Sequence, residues 1–592
     1  MKYRWLIAPA QPALAEFLAR ELRISPLLAQ CLLNRGLSEP EPITRFLQPR
    51  LKDLSDPFLL PNMRAAVDRL FVAREHGERL VIFGDYDVDG VTSAALLTEV
   101  FGALGWKADY YLPHRMEEGY GLSQSGVENC LNRFPATVLL AVDCGSTAVD
   151  SVRWLRDRGV DVIVLDHHQV SSPAPEAVAL VNPLLAAPSS CSARWQGESR
   201  RAEQELGAPS FHELCSAGLA FKLAHALVKH GRADGLPVAD VFDLRPYLDL
   251  VALGTIADLV PLTGENRILV SAGLRRLNAT QRPGIAALKK VAAVTGRVTG
   301  YEVGFQLAPR LNAAGRLETA EEALHLMLAR DLAAAEPLAA SLDSRNSERR
   351  KIEKSIVDEV LGTLRARFDP ERDCVIVEGQ LMWHIGVVGI VASRVLQEFY
   401  RPTLIIGGDG DAWRGSGRSI EGFDLAAALR ECDDLLVRHG GHAMAAGLTV
   451  KPGNLDALRA RLNELARRAL KPEQFQPALR VDAEVTMLDL TLDRVTELQR
   501  LQQTGIGNPP VHFVLRGVTH ARPLQRMGAE KKHARLWITD GQFAVQAVLW
   551  NCGDGPLPVG CFDLAFAPQL DDFKGTTNVQ LKVLDWCAAV SK

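Results

Sequence analysis

The sequence predicts an α/β protein: a parallel-sheet domain, a connecting helix, a second α/β domain and a C-terminal all-β barrel. Three observations carry this reading. From about Glu78, short apolar runs (LVIF, TVLLAV, VDVIVL) alternate with amphipathic stretches that suit helices, the pattern of β-α-β units. A second alternation, with CVIVEG and TLIIGG as strands, follows a charged segment that holds no Gly or Pro before Gly362. After Pro472, strand candidates separated by Gly and Asn turns (VHFVLRGV, ARLWITDGQFAVQAVLW, CFDLAFAPQL, NVQLKVLDW) read as a small barrel.

Taken in order, residues 1–60 are rich in Leu and Pro and read as an N-terminal helical extension. Residues 61–340 form the parallel-sheet domain, with amphipathic helices expected over Ser93–Leu104 and Ala148–Arg158 and an Ala/Leu-rich helical part from about 210. Within it, the polar stretch 184–210 reads as a surface insertion. Residues 341–366 carry charges at helical spacing and read as the solvent-exposed connecting helix. Residues 367–470 form the second α/β domain, with helices expected over Val387–Gln397 and 454–470. Residues 471–592 form the barrel, and no repeat at solenoid periods is present.

Length and composition bound the function. The 592 residues allow roughly three to five domains. Hydrophobic residues at 47% and charged residues at 23% make an ordinary soluble composition. Lys plus Arg is 67 against 71 Asp plus Glu, a net charge of −4, which excludes coating nucleic acid by charge alone but leaves room for a local basic groove. The best apolar stretch, Val91 to Trp106, is broken by Thr92, Ser93, Thr98 and Glu99, so no membrane span is expected. The N-terminus, MKYRWLIAPAQPALAEF, has too short and too interrupted an apolar core, so no signal peptide is expected. The ten cysteines are scattered with no CxxC pair, so a reduced, cytoplasmic protein is expected.

The informative feature is where the acidic residues and histidines fall. LVIFGDYDVDG puts Asp85, Asp87 and Asp89 just after one apolar run, TVLLAVDCGS puts Asp143 after the next, and VDVIVLDHH puts Asp166, His167 and His168 after the third. A fourth candidate is Asp258, which interrupts VALGTIADLVPL. Parallel neighbours end on one edge of a sheet, where ligands bind. A single Asp after a strand is usually a helix cap, but three strand ends with Asp plus paired histidines are hard to assign to capping. So many carboxylates in one crevice repel one another unless a divalent cation sits among them. Carboxylates with imidazole suit Mn²⁺ or Mg²⁺, and a site this large holds two ions that activate water and clamp a phosphodiester. The loop is acidic and lacks G-x-G-x-x-G, which excludes a dinucleotide pyrophosphate.

These residues resemble the motifs of the DHH phosphoesterase family. GDYDVDG, AVDCG, LDHH and GTIADLVPL resemble its first four motifs, and PHRMEEGYGLS (Pro113–Ser123) and APRLNAAGRL (Ala308–Leu317) resemble further ones. WHIGVVGIVASRV (Trp383–Val395), GSGRS (Gly415–Ser419) and GGHAMAAGL (Gly440–Leu448) resemble its accompanying DHHA1 domain, and the C-terminal segment resembles an OB-fold. The resemblance implies metal ligation by Asp85, Asp87, Asp89, Asp143, His167 and Asp258, with His168 at the phosphate and Asp166 behind the histidines. Asp87, Asp89, Asp143, His167, His168 and Asp258 are then the catalytic set. Some relatives carry His four residues before the first Asp of their DxD pair; here the position is Phe83, which cannot ligate, so Asp85 takes part of that role.

The resemblance also implies a 5′-to-3′ exonuclease on single-stranded DNA, acting in DNA repair and recombination, with a helicase and a single-strand-binding protein as partners. Candidate substrate contacts are Arg310, Asn312 and Arg316, with Arg282 weaker. Ser416, Gly417, Arg418 and Ser419 read as one close-approach loop and Gly440, Gly441 and His442 as another, suited to the nucleotide end and its phosphate. Tyr120 is a candidate for stacking on a base. In the barrel, Arg522, Arg526, Lys531, Lys532, His533 and Arg535 interleave with Trp537 and Phe543. Two rivals remain. One is a phosphodiesterase of short oligoribonucleotides or cyclic dinucleotides; the other is a non-catalytic single-stranded-DNA-binding scaffold.

Overall fold

The computed structural model describes residues 2–115, 117–119, 121–186, 211–408, 410–553, 555–573 and 575–589. Most of the polar stretch 184–210, and Tyr120, lie outside them. The chain divides into two compact units, residues 11–346 with 496–510, and residues 1–10 with 347–495 and 511–592.

The N-terminal segment is not purely helical. It opens with strand β1 (Arg4–Ile7), and helices follow over Pro12–Leu22, Pro26–Leu33 and Pro40–Leu47, each started by a proline whose missing N–H costs nothing there.

The first unit is built on five parallel strands: β2 (Leu80–Gly84), β3 (Ala108–Tyr111), β4 (Val138–Val142), β5 (Asp161–Leu165) and β6 (Ala179–Val181), in the order β3-β2-β4-β5-β6. Alternate residues serve two cores. Leu80, Ile82, Leu140, Val142, Ile163 and Leu165 face one, and Val81, Phe83, Leu139, Ala141, Val162 and Val164 face the other. A sheet covered on both sides explains why these runs are uniformly apolar. The helix after β2 spans Val88–Leu104 and is buried almost all round, so the amphipathic helix expected from Ser93 starts earlier and shows no solvent face along most of its length. Its position between the sheet and the helices Ser216–Ala233 and Leu248–Ala257 accounts for this.

The expected connecting helix is longer than 341–366. It runs Leu332–Arg367 and contains Pro337 in its second turn, where the missing N–H forfeits one i→i−4 hydrogen bond. The segment 496–510 groups with the first unit, not with the barrel. Buried Arg267 draws it in by donating to the carbonyls of Gln502 at 2.7 Å and Arg500 at 3.1 Å, and Leu262 N–H bonds Ile506 O at 2.7 Å.

The second unit holds a five-stranded sheet and a barrel. The sheet has β7 (Ile376–Leu381), β8 (Thr403–Gly408), β9 (Trp413–Arg418), β10 (Leu436–His442) and β11 (Ala445–Val450), ordered β10-β11-β9-β8-β7, with only β7 and β8 parallel. Helices Val388–Phe399 and Leu455–Ala469 accompany it. Strand β12 (Ala478–Val481) pairs with β1 in parallel. The barrel strands are β13 (Ala483–Glu484), β14 (Phe513–Met527), β15 (His533–Thr539), β16 (Ala544–Leu549), β17 (Phe562–Phe573) and β18 (Thr576–Ala588). Their order is β13-β14-β15-β16-β18-β17, and a pairing of β14 with β17 closes the barrel. Among the described residues no helix is long and apolar enough to cross a membrane.

Candidate metal centre

The parallel sheet delivers its acidic residues to one edge. Asp85 follows β2, Asp143 follows β4 and Asp166 follows β5. Asp143 has a positive φ of 65°, an uncommon conformation for a residue with a Cβ and a frequent mark of a functional position. Asp87 is the helix cap: its Oδ1 accepts from Asp89 N at 2.9 Å and Gly90 N at 3.1 Å. Asp89 is buried and turned to the N-terminus of the helix Ser216–Ala233, accepting from Ser216 N at 2.7 Å and Ala217 N at 2.8 Å. Asp143 accepts from Ser216 Oγ at 2.9 Å. Asp258 arrives differently from the others, as the C-cap of the helix Leu248–Ala257 and not at a strand end.

His167 stands at the centre. Its Nε2 is 3.5 Å from Asp143 Oδ1, 3.5 Å from Asp258 Oδ2 and 3.9 Å from Asp89 Oδ2. Three sets of potential ligand atoms fall close together: Asp85, Asp87 and Asp143; Asp89, His167 and Asp258; and Asp143, His167 and His168. Among the described residues, buried Asp85 Oδ1, His167 Nε2 and Asp258 Oδ2 have no hydrogen-bond partner. Orphaned buried atoms of this kind, within a cluster of carboxylates and imidazoles, fit a cation. The donor set is oxygen with one or two imidazoles, which suits Mn²⁺ or Mg²⁺.

The electrostatics agree. Burial, then the charge of Asp87, pushes Asp85 and Asp89 up to about 7. Burial and the charges of Asp89 and Asp87 push Asp258 up to about 9, and Asp143 is raised well above its ordinary value by burial and its acidic neighbours. Burial, then the charge of His168, brings His167 down to about 4, leaving a neutral ring able to ligate. His168 is the opposite case. Burial opposes its charge, yet the 2.7 Å contact of its Nδ1 with Asp166 Oδ1 and the surrounding carboxylates hold it at about 9. Asp166 also accepts from the backbone N–H of Ser146, His167 and His168, so it braces the histidine turn from behind. Buried Asn182 adds to the brace, donating to Ser146 Oγ and His168 O.

A pocket of about 190 Å³ opens beside Asp85 and Asp87 and is lined by Tyr86, Arg115, Asn312, Gly315 and Arg316. Asn312 Oδ1 accepts from Val88 N at 3.2 Å. A Cβ at Gly315 would lie 2.6 Å from Tyr86 O, so only glycine lets the helix Ala308–Leu317 pack this closely on the Asp85–Asp87 turn. Arg115, which the sequence reading did not single out, lies with its guanidinium 5.0 Å from the centre of the Tyr86 ring. Its position in PHRMEEGYGLS, two residues before a pair of acids, hid it. Phe83 is fully buried and stacks on Tyr111 at 5.6 Å.

Two expected phosphate contacts lie elsewhere. Arg310 is turned to Asp343 at 2.8 Å and Gln306 O at 2.6 Å, and Arg282 is held by Glu99 at 2.7 Å and Met327 O at 2.9 Å. Both guanidiniums are committed to structural partners, and neither lines the pocket.

In the second unit, Ser416, Gly417 and Arg418 lie on β9, and Gly440, Gly441 and His442 on β10, not on loops. Arg418 pairs in register with Ala445, and Ala445 with His442, so the three share one sheet face with Ser416, two residues along. Gly441 belongs to the opposite face and has a φ of 134°. Arg418 donates to Ser416 Oγ at 3.0 Å. A Cβ at Gly389 would meet Ser416 Oγ at 2.9 Å, so the first turn of the helix Val388–Phe399 sits directly on this pair. In the barrel, Arg522 lies 4.8 Å from the Trp537 ring centre beside a hollow of about 540 Å³. Arg526 bonds Gly553 O, Lys532 pairs with Glu530, and Phe543 is exposed.

Residues 79–255 match the DHH family N-terminal domain, 372–468 the DHHA1 domain and 481–585 the RecJ OB domain. The single-stranded-DNA-specific exonuclease RecJ of Bacillus subtilis is 35% identical over 597 residues, covering 100% of this chain and 71% of the relative. That of Escherichia coli is 33% identical over 583 residues, covering 94% of this chain and 95% of the relative. The crystal structure of RecJ with Mn²⁺ from Thermus thermophilus superposes with a TM-score of 0.82 at 30% identity, covering 100% of this chain and 80% of that one. The corresponding Mg²⁺ structure gives 0.75 at 29% identity, covering 100% and 79%. With three of its domains matched in order and relatives above 30% identity aligned along nearly all of it, the chain belongs to the RecJ family of DHH phosphoesterases.

Proposed function

We propose that this chain is a single-stranded-DNA-specific exodeoxyribonuclease that hydrolyses phosphodiester bonds from the 5′ end with two Mn²⁺ or Mg²⁺ ions. The observation that carries the reading is the meeting of Asp89, Asp143 and Asp258 around His167 Nε2 within 3.9 Å, with unsatisfied acceptors beside it. Asp85, Asp87, Asp89, Asp143, His167 and Asp258 would hold the ions. When bound, the pair supplies a nucleophile at neutral pH and neutralises charge on the phosphate.

The chain's own residues do the rest. His167, neutral at physiological pH, offers a lone pair, while His168 keeps a proton because Asp166 anchors Nδ1. That proton suits the phosphate oxygens or the leaving alkoxide. Arg115, Asn312 and Arg316 line the pocket and serve the phosphate beside Asp85. Ser416, Arg418 and His442 share a sheet face and would take the nucleotide end and its phosphate. Arg522 and Trp537 suit a base-stacking, sequence-tolerant hold on the strand. The barrel and the DHHA1 domain favour a long polymer over a dinucleotide, which needs no such modules. The complete set of acids disfavours a non-catalytic scaffold. A cytoplasmic location, a role in DNA repair and recombination, and a helicase and a single-strand-binding protein as partners belong to the same proposal.

The test uses end-labelled single- and double-stranded DNA with and without Mn²⁺. Mononucleotides released from the 5′ end of the single strand alone, and only with metal, are expected. Equal turnover of duplex, or release without metal, would contradict the assignment.

A further inference from the structure

Arg115 reaches the pocket from the loop that joins β3 to the helix Gln124–Arg133, and a single buried carboxylate organises that loop. Glu118 is 8% exposed. It accepts from Tyr111 Oη at 2.6 Å, from the backbone N–H of His114 at 2.6 Å, and from Asn129 Nδ2. Its own N–H returns to His114 O at 2.8 Å. Residue 114 is therefore tied to residue 118 in both directions, immediately before Arg115. The three donors come from the end of β3, from the loop and from the helix, so one side chain pins the loop to both flanking elements. Tyr111 is itself fixed, since its ring stacks on Phe83 at 5.6 Å with 29° between the planes. Phe83 belongs to the strand that leads directly to Asp85. A continuous set of contacts thus runs from the strand behind the metal centre, through Tyr111 and Glu118, to the backbone that carries Arg115.

We propose that Glu118 is a positioning residue for the exonuclease reaction: it holds the loop so that Arg115 stands at the mouth of the metal pocket, ready for a phosphate of single-stranded DNA. The proposal rests on the phosphate role given to Arg115 above. Its sign is unusual. Removing a carboxylate near a site for a polyanion ordinarily tightens binding, because a repulsive charge is lost. Positioning demands the reverse. Loss of Glu118 frees the loop, Arg115 no longer waits in place, and binding weakens.

The experiment measures dissociation constants for a 5′-phosphorylated oligothymidylate across a KCl series without divalent metal, and kcat/KM with Mn²⁺. Arg115→Ala should lower the salt slope by about 0.7, the share of one phosphate on a single strand. Glu118→Ala should lower it equally and weaken binding about tenfold, the size of one charge-assisted contact. The double variant should bind no worse than Arg115→Ala. Glu118→Gln, which keeps an acceptor oxygen, should recover part of the loss. If Glu118→Ala does not fold, Tyr111→Phe keeps the stacked ring and removes one donor, and a smaller loss in the same direction is expected. Wild-type or tighter binding by Glu118→Ala or, where that variant does not fold, by Tyr111→Phe, or additive losses in the double variant, would overturn the positioning role while leaving Arg115 in place. An unchanged salt slope in Arg115→Ala would overturn the phosphate role and this proposal together.

Discussion

The two α/β sheets present their chemistry in different ways. In the five-stranded parallel sheet, Asp85, Asp143 and Asp166 sit just past the strand ends, where every strand points the same way and every terminus opens on one edge. In the mixed sheet, Ser416, Arg418 and His442 lie within β9 and β10, and what unites them is cross-strand register, through Ala445. The lesson is that a parallel sheet gathers ligands by topology alone, whereas an antiparallel one gathers them by which residues stand opposite. The first can be read from the order of motifs, and the second only from pairing.

The largest expected effect tests the first arrangement. Asp143→Ala should reduce nuclease turnover by at least about a thousandfold, while circular dichroism stays native and Mn²⁺ no longer raises the Tm. Retained turnover would mean that the strand-end acids do not form one centre. A second expectation concerns pH. Asp85 and Asp89 stand at about 7 and Asp258 at about 9, all raised above the unfolded carboxylate value. Through these three carboxylates the metal-free folded state binds more protons than the unfolded chain does above about pH 4, and they lower its stability as pH rises toward 9. A cation must displace those protons, so the Tm increase on adding Mn²⁺ should be larger at about pH 8 than at about pH 6. An equal increase at both would remove the carboxylates from the binding step.

The smallest effect separates two kinds of arginine. Arg418→Ala should lower the salt slope for single-stranded DNA by about 0.7 and raise KM more than it lowers kcat. Arg310→Ala should leave the slope unchanged and cost about 1–3 kcal/mol of stability, because its bonds to Asp343 and Gln306 O are internal. The reverse result would exchange the roles of the two residues.

What the sequence disclosed follows the same division. The acidic centre was legible because clustered carboxylates have few benign explanations, and the apolar runs before them marked the strands. Asp258 was found as a residue, but its helix was not distinguished from a strand, since a buried helix in VALGTIADLVPL has no polar face to betray its period. The arginines were harder. Arg282 and Arg310 carry the same charge as Arg115 and Arg316, and only distant partners, Glu99 and Asp343, decide that the first two turn inward. The β-strands carrying Ser416 and Gly441 read as loops in the sequence because small residues usually mark turns, whereas here they admit the helix at Gly389 and the neighbouring backbone. The segment 496–510 joined the first unit through Arg267, a contact 233 residues distant that no local pattern announces.

The contact at Gly315 has a consequence for anyone wishing to re-engineer the enzyme. Where Gly315 meets Tyr86 O, the helix is laid directly against the main chain of the turn, and Gly315 has no side chain to trim. Mutagenesis there can only add bulk, and even a methyl group would lever Asn312 and Arg316 outward with the helix that carries them. Widening the pocket at this wall would call for shifting an entire structural element, so that side belongs to the scaffold, whereas the side chains of Tyr86, Arg115, Asn312 and Arg316 on the other sides can be shortened by point substitution.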